Sequence, residues 1–382
     1  MRRFTSNDAV CAHTIRAINV HSLAGSRVEI RTEGNPLKKL LAILAMLALV
    51  ATACGGSDSE TSSDAGDGET IIDNVNVGYF AGWPLPPQIG QADGSFAAAM
   101  GAEEITWIPF PDGGAMADAM ISEDVDIAYS IGLTPFAVKA TNGAPISMIG
   151  VAVGYADADN CIVSGDLGYT RENAAETLAG ATILTPIGNV THYKLLSMLD
   201  FLGVSQDDVE ILPHESSDST AAAFAAGQIE VGCAFGGALV TMEEAGGVPL
   251  LTGAETADEV GIKTYDVNAV RNDFGEENPD VVTNFLRANA EYNDLWASDP
   301  DTYNPTIAEA AGMEEVGNFL SGPTWFTFPS VDDQLSDDWL GSAVASVMLE
   351  QLTFFEEQGQ VDAVADDYQQ FIDTSFLEAA QS

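Results

Sequence analysis

From residue 74 onward the chain alternates short apolar runs, rich in β-branched and aromatic residues, with longer segments of helical period. A strand followed by a crossover helix returns parallel to itself and builds a sheet with helices on its faces. The first series reads as strands Asn74–Phe80, Glu104–Phe110, Val125–Ser130 and Ile146–Gly154, separated by helices Gln88–Met100, Gly114–Ser122 and Thr134–Asn142. A second series follows, with strands Asn160–Ser164, Ala181–Pro186, Val209–Pro213, Val231–Phe235 and Val248–Thr252. Its helices are Thr191–Leu202, Thr220–Gly227 and Ala238–Ala245. Strand Thr264–Val270 then leads into a helix-rich tail over Pro279–Ala297, Thr306–Ala311, Glu314–Leu320, Trp339–Glu357 and Tyr368–Leu377. The pattern predicts an α/β chain of two lobes, each a mostly parallel sheet flanked by helices. Residues 73–156 with 267–382 make a discontinuous first lobe and 157–266 the second, joined by crossing strands near Gly154–Val163 and Lys263–Val270. Ligands of open α/β sheets bind beyond the carboxyl ends of the strands, so two facing lobes make a cleft that closes about a hinge.

Ahead of this domain lies an export signal. Pro36-Leu37-Lys38-Lys39 precedes a short apolar run, which ends in Ala51-Thr52-Ala53-Cys54. A basic patch, a short apolar core and small residues before a cleavage point form a secretory leader over 1–53, and the run is short for a membrane span. A cysteine directly after the small residues looks like a bacterial lipobox, in which Cys54 carries the lipid and becomes the mature N-terminus. Lipoboxes favour Leu three residues before the cysteine, where this chain has Ala51. Residues 54–72 are then a lipidated acidic linker, too poor in apolar side chains to fold. The chain is expected to be exported and tethered to the outer face of the cytoplasmic membrane.

The charge excludes several functions. The sequence holds 58 acidic and 13 basic residues. Three and seven of these precede Cys54, which leaves 55 against 6, a net charge of −49 beyond the leader. Nucleic-acid binding draws its affinity from Lys and Arg on phosphates, so no nucleic-acid partner is expected. An open patch for anionic polymers is equally disfavoured. Beyond Cys54 only Cys161 and Cys233 remain, both in apolar strand-like runs. In an exported protein such a pair can form a disulfide or stay as two buried thiols, and export favours the disulfide. Only His192 and His214 follow the leader, so no metal site and no cofactor is expected.

Val77-Gly78-Tyr79, Gln91-Ala92-Asp93-Gly94-Ser95-Phe96, Thr191-His192-Tyr193 and Tyr368-Gln369-Gln370-Phe371 occur in an order and spacing that resemble the taurine-binding proteins of ABC importers. The resemblance spans about residues 74 to 377. Relatives in that family bind aliphatic sulfonates, nitrate and thiamine-precursor pyrimidines, and they share the type II periplasmic-binding-protein fold. The resemblance implies a monomeric receptor that hands a small zwitterionic or sulfonate ligand to ABC permease subunits in the membrane.

A sulfonate needs several donors without excess positive charge, and backbone N–H groups at helix N-termini supply them. Three helix starts suit this. Gly113-Gly114 follows Phe110-Pro111-Asp112, where glycine lets the backbone approach closely. Gly132-Leu133-Thr134-Pro135 places Thr134 as an N-cap and Pro135 at the first helical position. Asn189-Val190-Thr191-His192 places a further hydroxyl at a helix start. Carried over from the family, Thr134, Thr191 and His192 are ligand-contacting positions, while Leu133 stands where relatives have the first of two serines. Tyr265-Asp266 matches the family's acidic position, so Asp266 is the expected amine partner. Phe235 stands where relatives carry Trp and would wall the cleft, with Trp83, Tyr155 and Trp325 as further aromatic candidates. Relatives also carry a glutamate near Trp83, where this chain has Pro84-Leu85-Pro86-Pro87.

Other readings compete. A receptor of the same fold could hold an alkanesulfonate, a quaternary amine, nitrate or a pyrimidine precursor. A pyrimidine-synthesis-like enzyme is the rival from another class. Against it, the sequence has no Gly-x-Ser-x-Gly elbow, no phosphate-binding Gly-x-x-x-x-Gly-Lys loop and no Gly-x-Gly-x-x-Gly fingerprint. His192 and Thr191 are sequence neighbours whose side chains diverge on a helix, so they make no base–nucleophile pair.

Overall fold

The computed structural model describes residues 72–381, apart from 215 and 322–324. Cys54 and the acidic linker lie outside the described residues. Eleven strands are numbered in chain order. β1 (Ile72–Phe80), β2 (Ala102–Phe110), β3 (Ile127–Gly132) and β4 (Ile146–Tyr155) come first. β5 (Asp159–Ser164), β6 (Thr182–Thr185), β7 (Glu210–Pro213), β8 (Val231–Phe235) and β9 (Gly247–Pro249) follow, then β10 (Thr264–Arg271) and β11 (Phe326–Thr327).

They form two sheets. The first runs β11-β4-β10-β3-β1-β2 and the second β7-β6-β8-β5-β9. Both sheets are mixed, a refinement of the mostly parallel reading. β1 lies parallel to β2 and β3, and β6 parallel to β7 and β8, as crossover helices require. β10 returns from the second sheet and slots antiparallel between β3 and β4, while β5 runs antiparallel to β8 and β9. β4 and β10 pair along their length inside the first sheet. The chain therefore changes sheets in the turns between Tyr155 and Asp159 and between Pro249 and Thr264, not within a crossing strand.

In β1, Val75, Val77 and Phe80 enter the first core, whereas β3 is buried at every position, as a central strand between covering helices must be. Helix Pro279–Ser298 sends Val281, Val282, Phe285 and Leu286 into the same core. In β5, Cys161 and Val163 face one core and Ile162 the other. Cys161 and Cys233 are directly paired across β5 and β8, and the structure joins them in a disulfide.

Some segments differ from the sequence pattern. Gln88–Met100 is two short helices, Gln88–Asp93 and Ser95–Met100, because Gly94 between them takes the left-handed conformation at φ 77°. Tyr368–Leu377 is not one helix. A 3-10 turn at Gln369–Phe371 precedes Ile372, which bridges to Met148 of β4, and a helix begins only at Ser375. The tail helix expected from Trp339 starts at Ala343.

Candidate ligand cleft

The carboxyl ends of β1 and β3 and the start of β5 converge on one cavity of about 30 Å³. Three helix starts reach its wall. The helix Gly113–Ile121 is capped by Asp112, whose carboxylate accepts from the Ala115 N–H at 2.9 Å. Gly113 itself lines the cavity, and a Cβ there would stand 2.5 Å from Pro135 Cγ, so only glycine lets the first two helix starts meet. Gly132 and Pro135 line it from the helix Leu133–Thr141, and Asn189 and Val190 from the helix Val190–Phe201. The Asn189 side chain caps that last helix by accepting from His192 N–H at 3.1 Å.

The opposite wall is aromatic and acidic. Trp83 meets Tyr155 edge-on at 5.1 Å and Phe235 at 6.0 Å, and Phe80 meets Phe235 at 5.9 Å. Asp266, 3% exposed, accepts from Ser130 Oγ at 2.9 Å and from Tyr155 Oη at 3.0 Å. Trp83 Nε1–H donates in turn to Ser130 Oγ at 3.2 Å. Ser130 holds φ at 61°, a left-handed conformation that costs a serine about 1 kcal/mol, and this aims its hydroxyl at the carboxylate. Burial pushes the Asp266 carboxyl up to about 8. The two hydrogen bonds oppose that shift, and the charge of Asp159 adds to it.

Asp159 is the second buried acid, also 3% exposed and also on the cavity wall. Thr191 Oγ1 donates to its Oδ2 at 2.9 Å. Burial pushes its carboxyl up to about 6, against the pull of Lys194 and the Thr191 bond. Lys194 is buried behind it. Its ammonium donates to the backbone oxygens of Ala156, at 2.5 Å, and of Asp159, pinning the turn by which the chain enters the second sheet. Gly237 N–H donates to Gly82 O at 3.3 Å, which ties the segment after β8 to the segment after β1.

The cavity brings together Trp83, Tyr155, Phe235 and Asp266 of the sequence candidates. The others do not line it. Leu133 is wholly inside the first core. Thr134 follows Leu133 inside the helix, which has Gly132 at its N-cap, and its hydroxyl donates to Gln351 Oε1 at 2.7 Å instead of capping. Thr191 supports Asp159 from behind. His192 Nδ1 accepts from Gly188 N–H at 3.1 Å, and its ring lies against Phe355, 5.7 Å away. Burial lowers the His192 pKa to about 4, so the ring is neutral. Gly114 sits one residue past the lining Gly113. Trp325 packs against Phe319 at 4.3 Å. Sequence reasoning missed Asp159 and Ser130. The signal for the first was Asp157-Ala158-Asp159-Asn160, carboxylates opening an apolar strand. Nothing in sequence marked Ser130.

Chemically, the cavity opposes two kinds of end. Helix N-termini favour an anionic head, and the described lining holds no Lys or Arg to neutralise one. Two carboxylates inside an aromatic wall favour a cation.

The sequence model of the NMT1-like family matches residues 72–311. Over 314 residues the chain is 30% identical to the taurine-binding periplasmic protein of Escherichia coli (strain K12), spanning 80% of this chain and 93% of that one. The periplasmic aliphatic sulphonate binding protein SsuA from Escherichia coli superposes with a TM-score of 0.63 at 18% identity, over 78% of this chain and 92% of that one. The desulfurization enzyme DSZB superposes with a TM-score of 0.57 at 15% identity, over 81% and 99%. At these identities the two structures establish a shared fold, that of the periplasmic binding proteins.

Proposed function

The chain belongs to the NMT1-like family, and from that premise we propose that it is the extracytoplasmic substrate-binding component of an ABC importer for taurine or a similarly small sulfonate. The lobes close on the ligand and the membrane permease takes it from the closed form. The leader exports the chain, and a lipid on Cys54 keeps the domain beside its importer, with the acidic linker giving it reach. The protein works as a monomer. One observation carries this reading. A single small cavity sets three helix N-termini against two buried carboxylates within an aromatic wall, the arrangement a compact zwitterion needs. The sulfonate lies toward Gly113, Gly132 and Asn189, and the ammonium toward Asp266. A thermal-shift panel of taurine, ethanesulfonate and betaine tests it. A ligand that binds only the folded state raises Tm, and taurine is expected to raise it most. A panel in which no sulfonate moves Tm overturns the proposal.

A further inference from the structure

The two acids of the cavity are not equally placed to receive a ligand. Both oxygens of Asp266 already accept protein hydrogen bonds, Oδ2 from Ser130 and Oδ1 from Tyr155. Asp159 differs. Its Oδ2 is taken by Thr191, but Oδ1 is buried and has no hydrogen-bond partner among the described residues. A buried acceptor left unpaired is costly, and a buried carboxylate oxygen more so. The nearby Lys194 is bonded to the backbone oxygens of Ala156 and Asp159, and no bond from it reaches Oδ1. The residue lies on the cavity wall, so the missing donor comes from whatever fills the cavity.

Resting on the sulfonate-receptor reading above, we infer that Asp159 Oδ1 accepts an N–H of the bound ligand, and that this acceptor selects a primary ammonium over a quaternary one. An –NH₃⁺ group has three donors. One can reach Asp159 Oδ1 while another shares the remaining lone pairs of Asp266, and the aromatic wall closes around the charge. A trimethylammonium group satisfies the rings equally well but has no N–H, so it leaves Oδ1 unpaired. Discrimination of this kind, by a buried polar group that the wrong ligand cannot pair, is stronger than any that ring packing alone supplies. Asp266 then acts mainly as the carboxyl that Ser130 and Tyr155 hold in place, and Thr191 and Lys194 position the acid that reads the ligand.

Calorimetric titration with taurine, N,N,N-trimethyltaurine and ethanesulfonate tests this on the wild-type chain and on Asp159→Asn. The wild type is expected to prefer taurine over the trimethylated analogue by roughly tenfold or more, the value of a hydrogen bond to a buried charge. Asp159→Asn is expected to shrink that preference and to leave ethanesulfonate, which has no amine, within about twofold. Equal wild-type affinity for taurine and its trimethylated form overturns the role of Asp159 and leaves the sulfonate receptor standing. So does an Asp159→Asn variant that weakens taurine and ethanesulfonate alike. Absence of binding by the wild type to all three overturns the function itself and this inference with it. The wild-type comparison needs no variant, so a folding defect in Asp159→Asn does not remove the test.

Discussion

Asp266 offers a prediction whose magnitude follows from the structure. Its carboxyl, ordinarily near 3.8, sits at about 8 in the folded protein. Between those values the folded state binds the extra proton, so stability falls as pH rises from about 4 to 8. At pH 7 the folded state therefore holds this carboxyl mostly protonated, and taking up that proton about three pH units above 3.8 costs the fold about 4 kcal/mol, at 1.36 kcal/mol each. Asp266→Asn removes that cost. It also replaces one accepting oxygen by a donor facing Ser130 and Tyr155, which costs about 1 kcal/mol. We predict a net gain of about 3 kcal/mol at pH 7, or roughly 5 °C in Tm for a domain of this size. Differential scanning calorimetry without ligand, run from pH 4 to pH 8, reads it directly. Asp159 and His192 titrate alike in both proteins, so the difference between the curves reports Asp266: they meet near pH 4 and part toward pH 8. Ligand binding moves the other way, with taurine weakened more than ethanesulfonate. A variant that melts below the parent at pH 7, with the parent's pH slope intact, refutes the reasoning that this carboxylate is held at a cost for its ligand.

Three further predictions concern closure, the disulfide and a candidate the cavity does not include. At Gly236, φ is 63° and an added Cβ would stand 2.1 Å from Gly82 O, so Gly236→Ala should hold the lobes apart and weaken ligand affinity at least about tenfold in a calorimetric titration; unchanged affinity would mean that closure does not pass through this contact. The disulfide spans 72 residues of sequence, and replacing Cys161 and Cys233 by Ser should cost up to about 4 kcal/mol in denaturant unfolding. A loss below about 1 kcal/mol would contradict that loop-entropy argument. His192→Gln should leave sulfonate affinity within about twofold and flatten the acid limb of stability, because a histidine held neutral with a pKa lowered to about 4 loses stability for the fold as pH drops from 6.5 toward 4; a large affinity loss in titration would return His192 to the ligand.

Most of the architecture was legible because each strand carries its own apolar run and each helix its own period. β8 over Val231–Phe235 is where the pattern placed it. What escaped notice depends on distant partners. β11 is two residues long and exists only by pairing with β4 at Tyr155 and Gly154. The helix starts that wall the cavity were visible as Gly113, Gly132 and Asn189, but the direction of each side chain was not. Thr134 turns to Gln351, 217 residues away, and Thr191 turns to Asp159, so both leave the cavity to backbone groups. Asp159 was illegible for the same reason, since the groups that bury and orient it, Thr191 and Lys194, come more than thirty residues later.

A crystal structure of the chain grown with taurine tests the central claim most directly. The account predicts one molecule in the interlobe cavity, its sulfonate oxygens on the backbone N–H groups at the helix starts of Gly113, Gly132 and Asn189, and its ammonium between Asp159 and Asp266. Taurine bound in the reverse orientation, or an empty cavity at saturating ligand, would contradict it.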